Sequence, residues 1–188
     1  MTPPVPAFLE PVPVTVRLAQ ALGITASAFL CGQTAAASFQ LTPSLLEAPA
    51  PLLARQWARA RKIGMQVSLP SVAGSVALFS WLASREAPGS IPRKLYTAAA
   101  LLYFAKIPYS YIFLHPTDVA LKAKAESLAN TSITDTAAEV GIAKEETTHA
   151  LVDKWATINL GRAVLGFAGA ACSVWATLGR VDVIRYRL

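Results

Sequence analysis

Two polar side chains, Asn159 and Arg162, sit inside the apolar run from Trp155 to Leu178. An ionised side chain at bilayer depth costs about 2.5 kcal/mol or more unless it is paired or lines a wet cavity, so such a residue reads as functional. At steps of three and four, Trp155, Asn159, Arg162, Gly166, Gly169 and Ser173 share one helical face. That face cannot look at lipid; it looks at other helices or at a ligand. A second cation, Lys106, lies within the run Leu95–Leu114, and Gln33 and Gln66 lie near the ends of two further runs. His115 and His149 are the only histidines. Theirs are the side chains whose unperturbed pKa places proton transfer near neutrality. Asp118 follows His115 by one helical turn, and Tyr109 and Trp155 are aromatic neighbours for these groups. Cations, amide donors, two imidazoles and one carboxylate suit the binding of a small polar or anionic group and the movement of its proton.

The elements that must position them are membrane helices. Apolar residues make up 54% of the 188-residue chain, charged residues 15%, and the mean hydropathy is +0.43. A span needs about 20 apolar residues, and Val16–Phe39, Ile63–Ala83, Leu95–Leu114 and Trp155–Leu178 each qualify. The expected fold is all-α, an integral-membrane antiparallel four-helix bundle with a polar, partly helical segment between helices 3 and 4. Residues 1–15 form a proline-rich tail and 16–188 the membrane domain. The leader MTPPVPAFLEPVPV has five prolines and no basic residue before Arg17. It reads as an extended, water-facing tail ahead of an uncleaved first span rather than as a signal peptide.

Four spans put both termini and the Ser84–Lys94 loop on one face, side A, and the Gln40–Lys62 and Pro116–Lys154 connections on side B. Within the second of these, Thr117 or Asp118 is expected to cap a helix reaching Leu128. Another helix is expected from the TSITDT stretch around Thr134 to Gly141. Asn130-Thr131-Ser132 matches a glycosylation acceptor if side B is lumenal. The formal charge of +6 is spread over juxtamembrane residues such as Arg55, Arg59, Arg61 and Lys62, as expected beside anionic headgroups. The basic residues form no patch interleaved with aromatics, which excludes nucleic acid as a partner, and their even division between the faces leaves the orientation open. Cys31 and Cys172 both fall within spans as small packing residues, and no metal-ligand spacing or nucleotide-binding loop occurs. Pro70 and Pro108 each deprive a helix of one hydrogen bond.

The polar groups converge in depth. At 1.5 Å per residue, Arg162 lies roughly 10 Å along its helix from Trp155. Gln33, Gln66, His115, Asp118 and His149 occupy the same side B half, and Lys106 lies roughly 13 Å below His115. Two readings follow. The cluster lines a ligand pocket between facing helices, or it is a structural network in which Arg162 pairs with Asp118 and Asn159 bonds a carbonyl freed near Pro70.

Trp57, Gly64 and Pro70, then Pro108 and the run LHPTDVAL from Leu114 to Leu121, then Trp155-x3-Asn159-x2-Arg162 together resemble the anthrone oxygenase family, small four-span membrane proteins of aromatic-polyketide pathways. The likeness extends from the first span to the fourth. The chain departs from the family pattern at Asp118, where Asn is usual, and at His115, where an apolar residue is common. The resemblance implies conversion of an anthrone, such as emodin anthrone, to the anthraquinone by dioxygen, with neither metal nor organic cofactor. For that chemistry this chain's own residues offer His149, then Asp118, then His115 as candidate base. Arg162 and Asn159, with Lys106, would stabilise the oxyanion, and Gln33, Gln66, Lys106, Tyr109 and Trp155 would bind the substrate. The resemblance also implies a lipid-soluble aromatic substrate and a multi-pass location in the endoplasmic reticulum membrane, and it leaves a homo-oligomer open. The competing readings are a small transport or permeation protein, motivated by the buried cations and proline-bearing spans, and a structural membrane subunit.

Overall fold

The computed structural model describes residues 7–9, 12–179 and 184–186. Most of the expected N-terminal tail, positions 1–6 and 10–11, lies outside the described residues, as do Arg180 and Arg187.

Four helical columns are long and apolar enough to cross a membrane: Val14–Leu46, Ala50–Ser84, Ile91–Ser127 and Thr148–Leu178. The first is α1 (Val14–Ala36), a π-helical turn (Ala37–Leu41) and α2 (Thr42–Leu46). The second is α3 (Ala50–Ser84), and the third is α4 (Ile91–Tyr109), a π-helical turn (Ser110–Leu114) and α5 (His115–Ser127). A short 3-10 turn, Lys144–Glu146, precedes the fourth, α6 (Thr148–Leu178). Short strands Ala7–Leu9 (β1) and Ile184–Tyr186 (β2) pair antiparallel, with Phe8 opposite Arg185, and join the two chain ends. The chain is thus a four-helix antiparallel bundle and a multi-pass membrane protein.

Helix starts follow local chemistry. Proline occupies the first turn of α3 and α4, where its missing N–H is not needed; Pro43 and Pro116 closely follow the two π-turns inside continuous columns. The Ser90 hydroxyl accepts from Arg93 N at the start of α4, and the Thr147 hydroxyl accepts from Ala150 N at the start of α6.

Three expectations are corrected. The Gln40–Lys62 connection is largely helical, with only a short link between Leu46 and Ala50; Pro51 starts a helix rather than breaking one, and Pro43 is carried within the first column. The expected helix around Thr134 is a series of turns. There Asp135 accepts from Ala137 N and Ser132 Oγ accepts from Thr134 N, local bonds that compete with helix formation. Asp118 and Thr117 cap nothing: helix continues through Leu114 and His115, and both residues turn inward.

The 129–147 segment is tied to the bundle at two points. Arg55 Nη2 on α3 donates to the carbonyls of Ala129 (2.8 Å) and Thr131 (2.7 Å). Glu139 accepts from Lys124 Nζ on α5 (3.0 Å) and from Thr148 N and Oγ1 at the start of α6. Burial acts to raise the Glu139 pKa, and the hydrogen bonds from Lys124 and Thr148 outweigh it, leaving the carboxyl below its ordinary value.

Two cores fill the bundle. The side A core gathers Leu30, Val72, Phe79, Leu82, Tyr96 and Tyr103; the side B core gathers Leu53, Trp57, Leu114, Leu121, Val152 and Trp155.

Candidate active site

A cavity of about 580 Å³ opens in the side B half, within the roughly 300–1,000 Å³ usual for small-molecule sites. Three elements wall it. Column one contributes Gln33 and Thr34, the first π-turn and α2; α3 contributes Trp57, Ala60, Arg61, Gly64 and Ser68; α6 contributes Trp155, Asn159 and Arg162. Trp57, Arg61, Gly64 and Ser68 recur at steps of four, three and four on one face of α3, with Ala60 and Ile63 beside them.

The π-turn explains how α1 and α6 meet. The inserted residue breaks the regular bonding pattern, as single π-turns commonly do at functional sites, and Ser38 points inward. Its hydroxyl donates to Ala156 O (2.9 Å) and accepts from Asn159 Nδ2 (3.0 Å), which also donates to Thr34 O (2.9 Å). Both hydrogens of the Asn159 amide are thereby committed, and its Oδ1 accepts from Arg162 Nη1 at 3.2 Å. Asn159 therefore joins α1 to α6 and aims Arg162. The expectation that it donates to a ligand is replaced by this positioning role, and the bond to a carbonyl near Pro70 is not formed.

Asp118 does not pair with Arg162. Arg61 grips it: Nε donates to Oδ1 at 3.0 Å and Nη2 to Oδ2 at 2.6 Å, while Trp155 Nε1 donates to Oδ1 at 2.9 Å. The Arg61 guanidinium also lies 6.0 Å from the Trp155 ring centre, and Trp155 meets Trp57 edge to face at 6.0 Å. With side chains only 11% and 10% exposed, this closed pair is a wall, and Asp118 is engaged as an acceptor rather than free as a base. Arg162 makes its single hydrogen bond to Asn159, no carboxylate among the described residues lies within ion-pairing distance of it, and its Nε is buried without a partner. It feels the charges of Arg61 and Asp118. Lys106 adds a further buried cation; it is 2% exposed, its Nζ lies 5.4 Å from the Tyr103 ring centre and it has no hydrogen bond. Around the cavity Arg61, Lys106 and Arg162 thus share one carboxylate. The field is positive and favours an anion.

Of the residues singled out in the sequence, Gln33, Trp155, Asn159 and Arg162 line this cavity, and His149, His115, Asp118, Gln66, Lys106 and Tyr109 do not. His149 Nε2 lies 3.0 Å from Ala48 O, beside a separate cavity with Glu47, Thr136 and Glu139. It pins the link that follows α2, and α2 itself walls the main cavity. His115 is exposed and stacks on Tyr111 at 5.3 Å. Gln66 is exposed. Tyr109 donates to Ile158 O at 2.9 Å. No three of His, Cys, Asp and Glu come together among the described residues. Sequence reading assigned Arg61 to the interface and left Trp57 without a role; their shared spacing with Gly64 and Ser68 is the signal that places them on the cavity.

The family model for anthrone oxygenases matches residues 57–172. Anthrone oxygenase encC of Aspergillus fumigatus is 29% identical over 174 residues, covering 86% of this chain and 93% of that protein. No solved structure matches. The matched segment runs through the α3 wall, the Arg61–Asp118–Trp155 cluster and the Asn159–Arg162 pair, and on that basis the chain belongs to the anthrone oxygenase family and is a membrane-embedded oxygenase.

Proposed function

We propose that the side B cavity binds an anthrone of the emodin-anthrone type and converts it to the anthraquinone with dioxygen alone, without metal or organic cofactor, in the endoplasmic reticulum membrane. The observation that carries this reading is Arg162, a cation without a counter-ion in the wall of a largely apolar cavity. An unpaired buried cation is costly on its own and becomes an asset when the bound molecule turns anionic.

Anthrones do so readily. Loss of a proton from the methylene opposite the carbonyl aromatises the central ring and places negative charge on the carbonyl oxygen. Arg162, held by Asn159, is a preorganised donor for that oxygen, and the Arg61 charge adds to the field. Among the described residues no histidine or carboxylate lines the cavity, so the field of Arg162 and Arg61 lowers the cost of ionisation and water takes the proton. The anthranolate carbon passes one electron to dioxygen, and the radical pair combines into a carbon-bound peroxide. The peroxide takes up a proton. Elimination of water, with loss of the second methylene proton, leaves the carbonyl. In sum, anthrone and dioxygen give anthraquinone and water. Planar aromatic substrate and dioxygen both partition into lipid, which favours a site opening within a membrane bundle.

The test is turnover by the purified full-length chain in detergent after exhaustive chelation and dialysis. Emodin anthrone is expected to yield quinone absorbance with one dioxygen consumed per quinone. Activity that appears only on adding a metal or a flavin would overturn the cofactor-free reading, and no quinone above the spontaneous rate under any supplement would overturn the substrate class.

A further inference from the structure

Buried polar atoms in folded proteins nearly always have a hydrogen-bond partner, and each exception calls for an explanation. Among residues lining the cavity, two such atoms are buried without one: Arg162 Nε and Trp57 Nε1. The proposed chemistry accounts for Arg162. It does not use Trp57.

The two indoles of the wall make an internal control. Trp155 Nε1 donates to Asp118 at 2.9 Å, as buried indoles ordinarily do. Trp57, in edge-to-face contact with it at 6.0 Å and only 2% exposed, donates to nothing. If Trp57 merely filled space, phenylalanine or leucine would do so without stranding a donor. Its neighbours on the same face of α3, Arg61 and Gly64, also line the cavity. A Cβ at Gly64 would meet nothing within 4 Å, so the cavity wall is open about two turns further along α3.

We propose that Trp57 is a substrate-binding residue whose Nε1–H donates to a neutral oxygen, carbonyl or hydroxyl, of the bound polycyclic substrate, while Arg162 takes the oxygen on which charge develops. This rests on the proposed anthrone chemistry for the substrate's identity. The indole N–H is a neutral donor and no acceptor. It holds ground state and transition state alike, which affects KM and not kcat.

The test compares wild type and Trp57→Phe, both full length, with two inert ligands: anthraquinone, and anthracene as the same ring system without oxygen. The expected result is about a tenfold weaker Kd for anthraquinone, the scale of one hydrogen bond, and a similar rise in KM for anthrone. Affinity for anthracene should be unchanged and Tm should not fall, because the N–H has no protein partner to lose. Unchanged anthraquinone affinity, or an equal loss for anthracene, would overturn the proposal. Should Trp57→Phe fail to fold, the wild-type indole N–H resonance of Trp57 decides: it should shift with anthraquinone and not with anthracene, and a resonance unmoved by bound anthraquinone rejects the role. If wild type binds anthraquinone through Trp57 yet turns over no anthrone, the proposed function fails and the donor assignment stands. Normal turnover with an indifferent Trp57→Phe sinks the donor assignment alone.

Discussion

On side A, Phe79 packs between Tyr96 (6.4 Å) and Tyr103 (5.8 Å), and the Tyr96 hydroxyl bonds both Gln20 Nε2 and Thr177 Oγ1, each at 3.0 Å. Gly169 admits a ring there: a Cβ at that position would lie 2.7 Å from Tyr103 Cε2. On side B column one, α3 and α6 part around a cavity of about 580 Å³, in whose lining Arg162 lacks a counter-ion and two buried donors are left unpaired. Side A spends most of its polar groups on holding helices together, with the Ser27 hydroxyl left over, and the cavity lining on side B withholds two donors from the protein. Four-helix packing needs only the first arrangement. The second identifies where this bundle departs from a purely structural one, and substitutions in the two halves should separate activity from stability.

The largest effect is expected at Arg162. Arg162→Met should lower kcat by about 10²–10³, the usual consequence of removing an oxyanion donor. Its Tm should hold or rise, because an unpaired buried cation is lost. Asp118→Ala should do the reverse of that pattern, destabilising by about 3–5 kcal/mol in denaturant unfolding, since it strands Arg61 as a buried charge and frees the Trp155 indole. Tyr96→Phe on side A should cost about 1–2 kcal/mol by breaking the link between Gln20 and Thr177, with turnover within about twofold of wild type as expected for a residue far from the oxyanion. The smallest effect on chemistry is expected at His149. His149→Gln should keep the wild-type pH–rate profile, with no limb near 6.5, the unperturbed histidine value, appearing in one protein and vanishing in the other. A profile that loses such a limb on substitution would return the base to this side chain.

The spans were legible because apolar runs of this length have no other use in so small a chain. Their polar continuations were not. Ala50–Lys62 reads as a basic loop, yet one face of it, Leu53, Ala54 and Trp57, is buried, and the arginines between them project elsewhere. The sequence also located the side B half as the place where polar groups gather, and it named Gln33, Trp155, Asn159 and Arg162. It misjudged pairing. Depth alone put Asp118 opposite Arg162, but the partner is Arg61, one helical turn after Trp57, and only the packing of α3 against α5 reveals this. Asn159 likewise looked like a free donor because the π-turn Ala37–Leu41, whose Ser38 takes one of its amide hydrogens while Thr34 O on α1 takes the other, has no local signature in ASFQL.

The most direct test of the account is the ionisation of bound anthrone without oxygen. Under anaerobic conditions the purified chain, saturated with emodin anthrone, should show anthranolate absorbance at a lower pH than the free compound in the same detergent. Admitting dioxygen should convert that absorbance to quinone, and Arg162→Met should abolish the shift. Bound anthrone that stays neutral over the same pH range in wild type, or a shift that survives in Arg162→Met, would contradict the claim that this unpaired cation drives the reaction.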